Sequence, residues 1–230
     1  MTHITRAVAL FLLTAVLAGC QTKDLQGKVQ NASHEPIGGL KMVAVEVKED
    51  PSGEPVRFET VTHTDGSFWF RGLAPHTTYV LAPEPEDVTV TVRTTASTGP
   101  EGQTVVLEKP LVIRFSKDRR GILFDSKTYL EWVAGPDQDT TWEEARSWVQ
   151  ELSLAGGGWR MPTMEELKSL FVKGAGPRNI PLLETTGWWV WSCETSGSTA
   201  KALIFRHGSP YTSELSRSYN CRAFAVRAYR

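Results

Sequence analysis

The sequence predicts an all-β sandwich followed by an α+β domain with two helices and short antiparallel strands. Three observations carry this assignment. Residues 27–110 hold alternating apolar and β-branched segments, with Gly, Pro or Asp about every ten residues and no segment of helical period. Residues 111–230 hold two segments of helical period, then short strand-like ones, and seven of the eight tryptophans. Lys109-Pro110 lies between the two textures and reads as a hinge.

The first nineteen residues stand apart from both halves. Arg6 precedes "AVALFLLTAVLAGC", an apolar run of signal-peptide length that falls short of the ~20 residues needed to span a bilayer. Leu17-Ala18-Gly19-Cys20 resembles the lipobox of bacterial lipoproteins. That resemblance implies removal of residues 1–19, acylation of Cys20 (palmitate among the chains) and a short tether over residues 20–26. It implies a cell-envelope protein held to the membrane by lipid, and Gln21, in place of Asp, points to the outer membrane. The remaining thiols, Cys193 and Cys221, form an even pair in an oxidising compartment, which reads as a disulfide. It would close a loop of about 27 residues, worth roughly 3 kcal/mol. Two free redox or metal-binding thiols are the alternative.

In the first half, "GLKMVAVEV", "DGSFWFRGL", "TTYVLA", "DVTVTV" and "TVVLE" read as strands, with Asp65-Gly66 as a hairpin turn. The polar stretch 93–104 reads as a long loop inside the sandwich. The half resembles the carboxypeptidase regulatory-like (transthyretin-like) β-sandwich family. The matching residues are Gly27-x-Val29, Pro36-Ile37-Gly38-Gly39, Val43/Val45/Val47, Thr64-Asp65-Gly66-Ser67-Phe68-x-Phe70, Gly72-Leu73-x-Pro75 and Tyr79-x-Leu81. The resemblance implies an immunoglobulin-like sandwich acting as spacer or binding accessory.

In the second half, Trp142, Ala145, Val149 and Leu152 recur at helical spacing behind a capping box of Thr141 and Glu144. Thr163 and Glu166 repeat the device ahead of Leu167, Leu170 and Phe171. Between them, "LAGGGWRMPT" reads as a chain reversal: the glycines end one helix, Pro162 sets the entry to the next, and Trp159 and Arg160 brace the turn. The strands that follow are "GWWVWSCE", "KALIFRH" and "CRAFAVRAY". These features, with Phe124-Asp125-Ser126-Lys127-Thr128-x-Leu130-x-Trp132, Trp159-Arg160-Met161-Pro162-Thr163-x-x-Glu166-Leu167 and Arg222-Ala223-Phe224-Ala225-Val226-Arg227, resemble the C-terminal domain of bacterial collagen-like adhesins. The resemblance implies a C-type-lectin-like fold over 111–230 and adhesion to polyanionic glycans or host surfaces.

Chemistry has little to stand on. No Gly-x-Ser-x-Gly, His-Glu-x-x-His or phosphate-cradling loop is present, and His207 is the lone histidine of the second half. The first-turn pairs Glu143-Glu144 and Glu165-Glu166 are explained by the helix dipole. Asp137 and Asp139 lack the twelve-residue acidic calcium loop. No catalytic residue, metal or cofactor is therefore assigned. "NCRAFAVR" is similar to the end of formylglycine-generating enzymes, so a cysteine-dependent oxidase is kept as a minor alternative. An exported chain of net charge −1 gives nucleic acid no foothold.

Charge nonetheless divides unevenly, with a net of −5 over residues 21–110 and +3 over 111–230. Lys201, Arg206, Arg217, Arg222, Arg227 and Arg230 meet one acid, Glu214, after residue 195. The expected binding surface combines Trp188, Trp189 and Trp191 with Arg206, His207, Arg217 and Tyr219, since indoles stack on sugars and guanidinium forks hold sulfate or carboxylate. Alternation along a strand makes Trp189 and Trp191 core candidates and Trp188 the exposed one. An anionic glycan is the expected partner; an envelope protein, in a structural or assembly role, is the alternative.

Overall fold

The structure, a computed structural model, describes residues 23–48, 54–84, 88–90, 92–171, 183 and 185–229. The signal-like segment, Cys20 and Arg230 lie outside the described residues. The first half is a β-sandwich, and the second an α+β unit.

The first half runs through β1 (Lys23–Asn31), β2 (Lys41–Glu46), β3 (Arg57–Val61), β4 (Ser67–Leu73), β5 (Thr78–Pro83), β6 (Val88–Val90), β7 (Thr94–Ser97) and β8 (Val105–Val106). One sheet has the order β4-β1-β8 and the other β3-β2-β5-β7. Alternation along each strand sends Leu25, Val29, Phe68 and Phe70 of one sheet against Met42, Ala44, Tyr79 and Leu81 of the other. Each buried Leu, Val, Phe or Met side chain among them stabilises the fold by about 1.5–3 kcal/mol. The Asp65-Gly66 turn forms as expected: Gly66 has φ +74°, and a Cβ there would meet the Val29 carbonyl oxygen at 2.3 Å.

Two sequence expectations fail here. The stretch 93–104 is not one loop, because Thr94–Ser97 forms β7, which pairs antiparallel with β5. Its threonines alternate across the sheet edge, and the ladder supplies the order that an apolar pattern would otherwise announce. "DVTVTV" does form a strand, β6, yet it leaves the sandwich and joins a sheet of the second half.

The exchange runs the other way as well. β9 (Leu111–Ile113), directly after Pro110, pairs parallel with β1 through Val29↔Leu111 and Asn31↔Ile113. Further ties cross between the halves. The Ala32 amide donates to Ser126 Oγ at 3.1 Å, and Tyr129 Oη donates to Glu35 Oε2 at 2.7 Å.

The second half continues with β10 (Phe115–Asp118), β11 (Leu123–Asp125), β12 (Leu130–Ala134), α1 (Trp142–Glu151), a 3-10 turn over Leu154–Gly156 and α2 (Met164–Leu170). β13 (Trp189–Ser196), β14 (Thr199–Ile204), β15 (Ser209–Glu214), β16 (Cys221–Arg222) and β17 (Phe224–Ala228) complete it. The sheets run β17-β12-β11-β10-β6 and β15-β14-β13-β16. Several strands are buried on both faces. Val133, Trp191, Ala202 and Ala225 face the α1 core with Trp142, Ala145 and Val149. Their strand neighbours Trp132, Val190, Leu203 and Phe224 face the α2 core with Met164, Leu167 and Leu170.

Both capping boxes form as the sequence predicts: Thr141 with Glu144, and Thr163 with Glu166. α2 ends one residue early, with Phe171 at its C-cap. No helix among the described residues is long and apolar enough to cross a membrane.

Candidate functional site

The segment "GGGWRMPT" builds the chain reversal. Gly156, Gly157 and Gly158 all have positive φ, the conformation that glycine adopts without a Cβ clash. Trp159 Nε1 donates to the Leu154 carbonyl at 2.8 Å, closing the turn on itself. Arg227 lies 4.2 Å from the Trp159 ring centroid and donates to the carbonyls of Ala155 and Gly157 at 2.9 and 2.7 Å. Arg160 forms a bidentate pair with Glu166, which also accepts from the Thr163 amide at 2.8 Å. Burial raises the Glu166 pKa, but Arg160 and the Thr163 amide outweigh it and hold the carboxyl below its ordinary range. The residues that look most like a site in the sequence are structural.

The basic excess of the C-terminal stretch resolves in the same way for half of its members. Lys201 pairs with Glu194 at 2.9 Å, and Arg227, buried, pairs with the buried Glu131 at 2.6 Å. Arg222, also buried, donates to Asp137 and Asp139, each at 2.7 Å, and to Thr186 Oγ1 at 3.0 Å. A guanidinium thus stands between the two carboxylates considered for calcium. Among the described residues, no group of three or more His, Cys, Asp or Glu side chains is placed to hold a metal. Burial works against the Asp137 charge, yet Arg222, Thr186 and Thr185 bring its pKa down to about 2.

Arg206 and Arg217 differ. Neither has a carboxylate partner among the described residues, and both lie over aromatic rings. Arg217 is 4.2 Å from the Trp189 ring centroid and 5.7 Å from that of Tyr211. Trp189 and Tyr211 stack with centroids 5.5 Å apart and planes 11° from parallel. The register places Tyr211 opposite Ala202, itself opposite Trp191, so Trp189 and Tyr211 come from one sheet face. Arg206 lies 5.3 Å from the Trp188 centroid. Nε1 of Trp189 and Nε of Arg217 are buried donors without an acceptor among the described residues, an uncommon state for polar atoms in protein interiors.

The seven expected surface residues therefore do not form one patch. Trp188, 39% exposed, projects on the opposite side of the strand from half-buried Trp189. Trp191 is a correction: it is fully buried, with Nε1 donating to the Thr140 carbonyl at 2.9 Å, and offers nothing to a ligand. His207 is exposed in the β14–β15 turn, its Nδ1 3.0 Å from Ser209 Oγ. Tyr219 is 67% exposed on the loop before β16. Tyr211 was missed because "SPYTSE", polar and carrying Pro210, does not read as a strand. Only its period-two placement opposite "TAKALI" would have found it.

The expected Cys193–Cys221 disulfide is also corrected: both thiols are free. β13 pairs parallel with β16 so that Trp189, not Cys193, lies opposite Cys221. Four residues of strand put the cysteines about 13 Å apart, whereas a disulfide needs Cα atoms within about 7 Å. Burial pushes the Cys221 thiol up to about 11 against the pull of nearby Arg217, and burial with Glu194 raises Cys193. These shifts run opposite to thiolate activation. Exposed Cys193 instead lines a recess of about 480 Å³ with Trp142, Arg146, Gln150, Trp159 and Met161.

Residues 121–227 match the model of the Lcl C-terminal domain, in agreement with the resemblance of the second half. No curated protein matches the chain. Among solved structures, a 9R-lipoxygenase from Cyanothece PCC8801 is similar at 10% identity and a TM-score of 0.29, over 65% of this chain and 26% of the lipoxygenase. The chain thus spans about a quarter of that enzyme's length, a likeness too slight to carry any argument.

Proposed function

We propose that this chain, with an Lcl C-terminal domain in its second half, is a lipid-anchored envelope protein that binds an anionic glycan. The observation that carries the reading is the contrast among its arginines. In the second half Arg114, Arg160, Arg222 and Arg227 are neutralised by carboxylates, while Arg206 and Arg217 have none among the described residues and rest on Trp188, Trp189 and Tyr211. A guanidinium held on an aromatic face keeps N–H groups at its edge for sulfate or carboxylate oxygens. Acylation at Cys20 would hold both arginines at the envelope; the expected tether over residues 20–26 is shorter than the sequence suggests, because β1 begins at Lys23 and Leu25 is in the sandwich core.

Binding of the full-length protein to immobilised dextran sulfate, with neutral dextran as control, tests the reading. Retention on the sulfated matrix alone, weakening with salt and lost in Arg206→Ala/Arg217→Ala, is the expected result. Equal retention on both matrices, or retention unchanged by the double substitution, overturns it. Capture of an envelope protein in place of sulfated glycan would favour the assembly role.

A further inference from the structure

The first half carries a surface that none of the reasoning above uses. Along β1, Leu25, Gly27 and Val29 are buried, so Gln26, Lys28 and Gln30 project from the outer face of the sheet. On β4, Phe68 and Phe70 fill the core, and Ser67 and Trp69 project outward. The register aligns these outward residues in rows. Gln26 lies opposite Trp69 on one side and Val106 on the other, and Lys28 lies opposite Ser67. Together they line a groove of about 410 Å³, within the roughly 300–1,000 Å³ of small-ligand clefts. His63 stacks on Trp69 at 4.3 Å with planes 21° apart, which fixes the indole that walls the groove.

We infer that this groove on the β4-β1-β8 face binds a neutral oligosaccharide. An indole wall offers a flat apolar surface to the C–H face of a pyranose. A glutamine amide beside it carries donors and an acceptor together, the set that adjacent sugar hydroxyls require. Gln26 occupies that place by register, with Lys28 and then Gln30 further along the same face. Charge selects against a polyanion. Lys28 faces Asp65 at 3.8 Å, Glu108 lines the groove opposite, and Arg71 lies 5.8 Å from the Trp69 centroid, so cations and acids balance. Exposed Val106, at 62%, closes the far side with apolar surface. This site is separate from Arg206 and Arg217 in position and in chemistry.

The test titrates the full-length protein with maltohexaose, cellohexaose, chitohexaose and xylohexaose by calorimetry at low and high salt. At least one should bind, with little dependence on salt and no change in Arg206→Ala/Arg217→Ala. Trp69→Ala and Gln26→Ala should each weaken binding by about tenfold or more. Val106→Arg alters only an exposed position and should block the groove with the melting temperature unchanged, which guards against misfolding of Trp69→Ala. Failure of all four sugars to bind, or binding that survives Val106→Arg, overturns the inference. So does binding that disappears with salt or with the arginine variant.

Discussion

Arg222 Nε donates to Asp137 Oδ1 across 2.7 Å, joining residues 85 positions apart in the chain. The side chain of Arg222 is 7% exposed and that of Asp137 38%, so the contact holds a buried cation at the edge of solvent. Removing one partner of such a pair costs far more than the pair contributes when intact, because the other charge is left buried.

That contact sets an acid limit. The Asp137 pKa lies at about 2 in the fold against an ordinary 3.8. Its contribution is therefore complete above about pH 4 and is lost as pH falls towards about 2. Thermal melts from pH 6 to pH 2 should show this loss, and Asp137→Asn should be less stable at neutral pH and flatter across that window. Asp139 still partners Arg222 in the variant and solvent screens the part-exposed Asp137, so a loss of about 1 kcal/mol is expected.

Gly187 should tolerate no side chain. A Cβ there would stand 2.3 Å from Arg222 Cγ, a stem pinned by four acceptors. Gly187→Ala should cost about 1–3 kcal/mol in urea denaturation. Equal stability of the two proteins would show that the Arg222 network is looser than described.

The two free thiols should titrate separately. In a Cys20→Ser variant, Ellman's reagent should consume Cys193 under native conditions and Cys221 only after denaturation, since the latter is buried. Absence of any reactive thiol before reduction would restore the disulfide.

Two tryptophans two residues apart should behave differently. Trp191→Ala removes a fully buried side chain and should cost about 3–5 kcal/mol. Trp189→Ala should cost less and should release the protein from dextran sulfate, because it takes away the ring under Arg217. Denaturation and matrix retention of both variants give the comparison.

What could be read in the sequence follows the range of the interactions. Both capping boxes act over three residues and were legible, as was the Asp65-Gly66 turn. The glycine-rich reversal was legible too, because positive φ is a local demand. Pairings across the chain were not: no pattern says that Arg227 selects Glu131 or that Arg222 selects Asp137. The strand exchange by β6 and β9 escaped for the same reason, since a strand's sequence fixes its faces and not its neighbour. The two cysteines illustrate the hazard: compartment and parity argued for a bond that the register forbids.

The parallel pairing of β1 with β9 has a mechanical consequence. Were the N-terminus held at a membrane and the second half by a ligand, as proposed above, tension would enter β1 at its leading end and leave β9 at its trailing end. The two parallel strands are then drawn past one another along their length, so their hydrogen bonds share the load together and do not open one at a time. The joint between the halves is built to resist sliding, and a pull at the surface would have to break it as a unit before the sandwich came apart.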